Sequence, residues 1–150
     1  MKQKVLFVCV HNSARSQMAE AFLKQMAGGR FEVESAGLEP GKLNPVAVEV
    51  MKESGIDISR NKTKSAINLF KKGKRYDYVI TVCDESQSGA CPVFSGRGER
   101  LHWGFDDPFR FEGTHEEKLQ QTRRVRDQIK ETLRHWISNK ISPPNSPNLL

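Results

Sequence analysis

The chain has 150 residues, 37% of them hydrophobic, and a formal net charge of +6; this is the size of one ordinary domain with its own core, and it excludes a small scaffold that depends on staples. The only apolar run near the start, Val5 to Val10, is shorter than an export signal and far shorter than the roughly 20 residues of a membrane span. A cytoplasmic protein with no membrane association is expected. In that compartment thiols stay reduced, so Cys9, Cys83 and Cys91 are not expected to form a permanent disulfide. The positive charge suits any anion. The basic clusters Lys71-Lys72-Gly73-Lys74-Arg75 and Arg123-Arg124-Val125-Arg126 carry no interleaved aromatic residues, so they read as solvated faces and no nucleic-acid partner is expected.

Taken in chain order, Lys4 to Val10 is an apolar run of the kind buried on both faces of a parallel sheet. From Ser13 the period becomes helical, with Met18, Ala19, Phe22, Leu23 and Met26 on one face and Gly28-Gly29 ending the segment. Phe31 to Ala36 is a second predicted strand. Asn44-Pro45 reads as a helix cap followed by proline in the first turn, with Gly55 at the far end. Tyr76 to Val82 is a third strand and Arg100 to Trp103 a short fourth. Thr114 and Glu117 have the spacing of a capping box opening a helix to about Asn139, and the tail from Lys140, with Pro143, Pro144 and Pro147, is expected to be disordered. Strands separated by helices imply an α/β fold: a four-stranded parallel sheet with helices on both faces, residues 1–139 forming one domain.

In such folds ligands sit beyond the carboxyl ends of the strands, where strand order reverses. Cys9 ends the first strand and Cys83 the third, so neighbouring strands would open both thiols onto one crevice. Between Cys9 and Arg15 lie Val10, His11, Asn12, Ser13 and Ala14, a loop running from strand into helix. Successive backbone N–H groups of such a loop converge on one anion, and the helix start adds roughly half a positive charge there. The same field is expected to favour the Cys9 thiolate, the nucleophilic form. Arg15 offers a planar fork for two oxygens of a tetrahedral oxyanion, and Ser16 is placed to donate to the Cys9 sulfur.

The segment Val8-Cys9-Val10-His11-Asn12-Ser13-Ala14-Arg15-Ser16-Gln17-Met18-Ala19-Glu20 resembles the opening of the low-molecular-weight tyrosine phosphatase superfamily, and its second half is similar to the arsenate reductase branch. Further matches follow in order: Glu34-Ser35-Ala36-Gly37, Asn44-Pro45, Ile56-Asp57-Ile58-Ser59, Cys83, Cys91-Pro92, His102 to Pro108, and Arg124 to Asp127. The resemblance spans about residues 4 to 137 and implies arsenate reduction coupled to thioredoxin, with phosphate or sulfate as competing anions. It departs at His11, where members often carry glycine, and at Ala14, where many carry cysteine. Some members hold a potassium ion through positions matching Asn12, Glu20, Ser35 and an acidic residue. The last is Ser65 here, and neither a metal nor a cofactor is expected.

The implied mechanism is a relay in which Cys9 attacks arsenic, Asp107, the acid immediately before Pro108, protonates the departing oxygen, Cys83 attacks Cys9, and Cys91 attacks Cys83. Two-electron reduction uses two thiols, whereas phosphoester hydrolysis uses one. A tyrosine phosphatase, with Cys83 and Cys91 idle, and a non-catalytic oxyanion sensor using the same loop are the alternatives. Against the first, Phe109-Arg110 stand where those phosphatases usually carry tyrosines.

Overall fold

Strand β1 (Gln3–Cys9) sends Val5, Phe7 and Cys9 to one face of the sheet and Leu6 and Val8 to the other, and from Val5 onward all five are buried. A strand covered on both sides belongs at the centre of a parallel sheet. The computed structural model, which describes residues 2–83, 94 and 98–141, places it there. β1 pairs in parallel with β2 (Phe31–Gly37) on one side and β3 (Tyr78–Thr81) on the other, and β4 (Glu99–His102) adds to the far edge of β3, giving the order β2-β1-β3-β4. The chain moves outward from β1 to β2 and then returns past β1 to β3. Strand order therefore reverses between β1 and β3, and their carboxyl ends flank the crevice that such a reversal creates.

The two faces are covered unequally. On one, α1 (Arg15–Ala27), α2 (Pro45–Glu53) and α4 (His115–Ile141) contribute Met18, Phe22, Leu23, Val50, Met51, Ile129 and Leu133 to the larger core. On the other, the short α3 (Ala66–Lys71) contributes Ala66, with Leu38, Leu69 and Phe94 packed around Leu6, Val8, Tyr76 and Val79. Trp136 near the end of α4 meets Phe31, Tyr78 and Trp103 at ring-centroid distances of 5.1, 5.0 and 5.9 Å. Phe31 and Tyr78 are the first residues of β2 and β3 and Trp103 follows the last residue of β4, so Trp136 packs along the sheet from its amino edge toward the end of β4.

The fold class is as expected, with local differences. Asn44 caps α2, its Oδ1 accepting from Val46 N at 2.9 Å, and Thr114 and Glu117 form the expected reciprocal box before α4. The sequence reading did not anticipate α3, a six-residue helix capped by Ser65 and lacking the long apolar stripe by which helices are recognised. β3 is shorter than the run Tyr76–Val82 because only four residues find partners on both neighbours. β4 is a mostly exposed edge strand. α4 continues two residues past the expected end at Asn139, and residues 142–150 lie outside those described.

The second basic cluster does more than face solvent. Arg123 donates from Nε and Nη2 to the Glu53 carboxylate at 2.8 to 3.1 Å, and Arg126 Nη1 donates to Glu53 Oε1 and to the Val50 carbonyl, fastening α4 to the end of α2. The hydrogen bond from Arg123 is the leading reason that the Glu53 carboxyl sits below its ordinary range. A carboxyl depressed in the folded state contributes stability above its unfolded pKa, about 4.3, and loses it as pH falls through the folded value. For a partly exposed network the contribution is about 1 kcal/mol, which in a chain of this size is a Tm difference of about 3 °C. Glu53→Gln is expected to melt lower by that amount at pH 7, with the deficit closing below about pH 4. Melts across pH check this, and an equal deficit at pH 3 would trace it to packing instead.

Candidate active site

The segment from Cys9 to Arg15 leaves β1 and enters α1 at the carboxyl edge of the sheet. Its carbonyls are turned outward onto the segment that follows β2. Cys9 O accepts from Leu38 N, Val10 O from Glu39 N, His11 O from Gly41 N and Ser13 O from Asn44 N, at 2.7 to 3.0 Å, while Asn12 O accepts from Gln17 Nε2 at 3.1 Å. In a trans peptide the N–H of the next residue points opposite to the carbonyl. The amides of Val10, His11, Asn12, Ser13 and Ala14 therefore turn away from those partners, and Asn12 N is directed at the Cys9 sulfur, 3.1 Å away. α1 has no acidic residue in its first turn, and Ala14 at its cap makes no side-chain hydrogen bond to the turn. The positive helix end is thus left for an external anion.

Asn12 holds this geometry. It is the one non-glycine residue with positive φ (+55°) among those described, and it is fully buried. Its Oδ1 accepts from Lys64 N at 2.9 Å and Gln17 Nε2 at 3.1 Å. Since a backbone N–H only donates, the amide orientation is fixed, and Nδ2 donates to Ser16 Oγ at 2.8 Å and Ser35 Oγ at 3.0 Å. With its oxygen engaged, the Ser35 hydroxyl donates onward to Glu20, whose carboxylate is flanked by Lys24 and Lys64. The Ser16 hydroxyl is in turn hydrogen-bonded to Cys9 Sγ at 2.9 Å. Gln17, quoted in the sequence only as part of a family match, is fully buried and links Asn12 to the Lys62 carbonyl and the Asn61 side chain. Gly37, at the end of β2, has to be glycine: a Cβ there would lie 2.8 Å from Asn12 N and from His11 C.

Arg15 is 3% exposed and reaches across the crevice, donating from Nη1 to the Phe105 carbonyl at 3.2 Å, with Nη2 3.5 Å from Asp107 Oδ2. Asp107 also caps the 3-10 turn Pro108–Arg110 by accepting from Phe109 N, so the turn role and the position beside Arg15 coexist in one side chain. Cys83 is fully buried in the same core cluster as Cys9. One more ladder bond, Val82 N to Val8 O at 2.8 Å, carries the chain past β3, so Cys83 begins where that ladder ends, beside the strand that ends in Cys9. Cys91 lies outside the described residues. Of the other histidines, His102 bonds Thr81 Oγ1 at 2.7 Å on the exposed edge strand, and His115 and His135 pair with Glu49 and Glu131 at the surface.

The chain matches the family described as low molecular weight phosphotyrosine protein phosphatase over residues 4–143. It is 47% identical over 130 residues to an arsenate reductase of Halalkalibacterium halodurans, an alignment covering 85% of this chain and 90% of the relative. Among solved structures it is similar to an arsenate reductase in the phosphate binding state, with a TM-score of 0.73, 35% identity and coverage of 93% of this chain and 98% of the other. A thioredoxin-dependent arsenate reductase of Corynebacterium glutamicum superposes with a TM-score of 0.61 at 31% identity, over 94% of this chain and 63% of that one.

The Asn12 hub is separable from its dihedral. Asn12→Gly relieves the positive φ but deletes the side-chain bonds, whereas Asn12→Ala deletes them and keeps the strain. Both variants are expected to bind inorganic phosphate at least about tenfold more weakly, a loss of about 1.4 kcal/mol, with Asn12→Ala also less stable than Asn12→Gly. Calorimetric titration and melts check this; wild-type affinity in Asn12→Gly would show that the hydrogen bonds are not what shapes the loop.

Proposed function

Because the chain belongs to the low molecular weight phosphotyrosine protein phosphatase family, and within it to the arsenate reductases, we propose that it reduces arsenate to arsenite through a Cys9, Cys83 and Cys91 relay regenerated by thioredoxin. The observation that carries this reading is the second buried thiol, Cys83, at the carboxyl end of the strand beside the one that ends in Cys9. A hydrolase would have no use for it.

Arsenate enters the loop Val10 to Ser16, where the amides and the Arg15 fork take its oxygens. The Cys9 thiolate bonds to arsenic and one oxygen leaves, protonated by Asp107, so that hydroxide does not depart as a free anion. The Cys83 thiolate then attacks Cys9 Sγ. The sulfur–arsenic bond breaks with its electron pair going to arsenic, which falls from the +5 to the +3 state and leaves as arsenite, and a Cys9–Cys83 disulfide remains. Cys91 attacks Cys83 and restores the Cys9 thiolate, and the thioredoxin dithiol reduces the Cys83–Cys91 disulfide while becoming oxidised itself. The same reading puts the enzyme in the cytoplasm, with phosphate and sulfate as competitors. Both the phosphate binding state of one relative and the thioredoxin dependence of another support it. No helix among the described residues is long and apolar enough to cross a membrane.

Two substitutions at the loop test the chemistry of attack. Cys9→Ser is expected to abolish arsenite production, because a serine hydroxyl stays protonated where a thiol ionises. Arg15→Lys keeps the charge but loses the fork, and is expected to lower kcat/KM by about 100-fold or more. A coupled assay with thioredoxin, its reductase and NADPH reads both, and normal turnover by Cys9→Ser would remove the proposed nucleophile.

The relay is tested downstream. Cys91→Ser is expected to release arsenite in one burst of at most one equivalent and then stall as the Cys9–Cys83 disulfide, while Cys83→Ser gives no burst. Rapid quench and mass spectrometry of the digested enzyme read both outcomes. Continued thioredoxin-dependent turnover by Cys91→Ser, with reduced Cys83, would exclude the three-thiol route.

A further inference from the structure

The loop's third residue, His11, serves a purpose that the anion chemistry leaves unused. Its backbone belongs to the cradle, but its side chain points out of it, with Nδ1 bonded to the Glu39 carbonyl at 2.9 Å. The imidazole stands edge to face with the Phe109 ring, centroids 6.4 Å apart and planes 89° to each other. Phe109 is 52% exposed and among the few large apolar side chains left open to solvent. Its own N–H is bonded to Asp107 Oδ1 at 3.0 Å, and Asp107 Oδ2 faces Arg15. Two contacts thus join the anion loop to the acid-bearing turn: Arg15 with Asp107 inside, and His11 with Phe109 at the rim.

An ester bound in this cradle has to place its bridging oxygen at the proton of Asp107, so its organic group leaves the cradle beside Phe109. A phenyl ring slotted between two others needs its neighbours about 7 Å apart and parallel, two carbon contacts of about 3.5 Å each. His11 and Phe109 are closer than that and perpendicular, and the slot is filled by their own contact. The oxygen of an inorganic oxyanion ends where the ester would continue, and needs no slot. Gly41 lies beside His11, and its N–H donates to the His11 carbonyl at 3.0 Å, which with the Nδ1 bond to the Glu39 carbonyl holds the residue against the segment after β2.

We propose that His11 and Phe109 form a two-ring rim that admits inorganic oxyanions to the cradle and turns away aryl phosphate esters. This rests on the cradle described under the proposed function but is independent of the thiol relay. The test uses the reduced full-length enzyme and three ligands that form no covalent bond here: inorganic phosphate, methylphosphonate and phenylphosphonate, the last two differing only in the ring. By calorimetry the wild type is expected to bind methylphosphonate at least about tenfold more tightly than phenylphosphonate. In Phe109→Ala the two should come within about threefold of each other through tighter binding of phenylphosphonate, with inorganic phosphate affinity held within about twofold. His11→Gly should narrow the same ratio, and the double variant should add little to either single change, because removing one ring already opens the slot.

Equal binding of the two phosphonates by the wild type would overturn the rim, as would a ratio that neither variant changes. Weaker phenylphosphonate binding in Phe109→Ala would also overturn it, by showing the ring to be a platform for aryl groups. If the wild type bound no phosphate at all, the cradle would fall and the rim with it. Failure of arsenite production alone, with these ratios as expected, would remove the relay and leave the rim standing.

Discussion

The carboxyl end of the sheet depends on one buried amide, the side chain of Asn12, which holds its own backbone in the left-handed region. Such a conformation costs an ordinary residue on the order of 1 kcal/mol, and here it is offset by hydrogen bonds made on both sides of the amide. Lys64 N–H and Gln17 fix the oxygen, and Ser16 and Ser35 fix the nitrogen. The result reaches further than the loop's shape. Each serine oxygen accepts from the amide nitrogen; the Ser35 hydroxyl donates onward to the Glu20 carboxylate, and the Ser16 hydroxyl is hydrogen-bonded to the Cys9 sulfur. A single buried amide thereby joins a lysine-flanked carboxylate and the Cys9 sulfur in one hydrogen-bonded network.

Around that hub the fold assigns different tasks to its strands. β1 ends in Cys9, β2 ends at Gly37 so that its backbone can come close to the loop, and β3 leads to Cys83. Asp107 arrives from beyond β4 on the turn that begins at Pro108 and meets Arg15. An anion-binding loop and an acid suffice for transfer of a phosphoryl group, the chemistry by which the wider family is described. In the proposed relay, the second thiol, Cys83 beyond the neighbouring strand, is what lets electrons follow the same path.

Much of this was legible in the sequence because it rests on local chemistry. The buried run before Cys9, the spacing to Arg15, the Asn44 cap and the box of Thr114 with Glu117 each declare themselves within a few residues, and each takes the expected place. Three features were not legible, two because they are made by residues distant in the chain and one because it is too short. Gln17 reads as one polar residue in a helix until Lys62 and Asn61 surround it. The second arginine cluster reads as a solvated face until Glu53, about 70 residues earlier, is seen to receive it. α3 is too short for any periodicity to announce it.

The unequal cover of the sheet divides the molecule mechanically. Cys9 and its loop are braced by the larger core, with three helices and Trp136, whereas among the described residues the opposite face of β1 and β3 is backed by one six-residue helix and a few side chains. The free energy of local opening follows the density of buried contacts, so amides of α1 exchange with solvent only on global unfolding, while those of α3 exchange through smaller, cheaper openings. Disulfide exchange needs an attacking sulfur to come into line with two others, a displacement that a uniformly rigid protein resists. Cys9 and Cys83 both lie in the larger core, so the exchange proposed between them takes place within the stiff half of the molecule, over the short displacements that close packing allows.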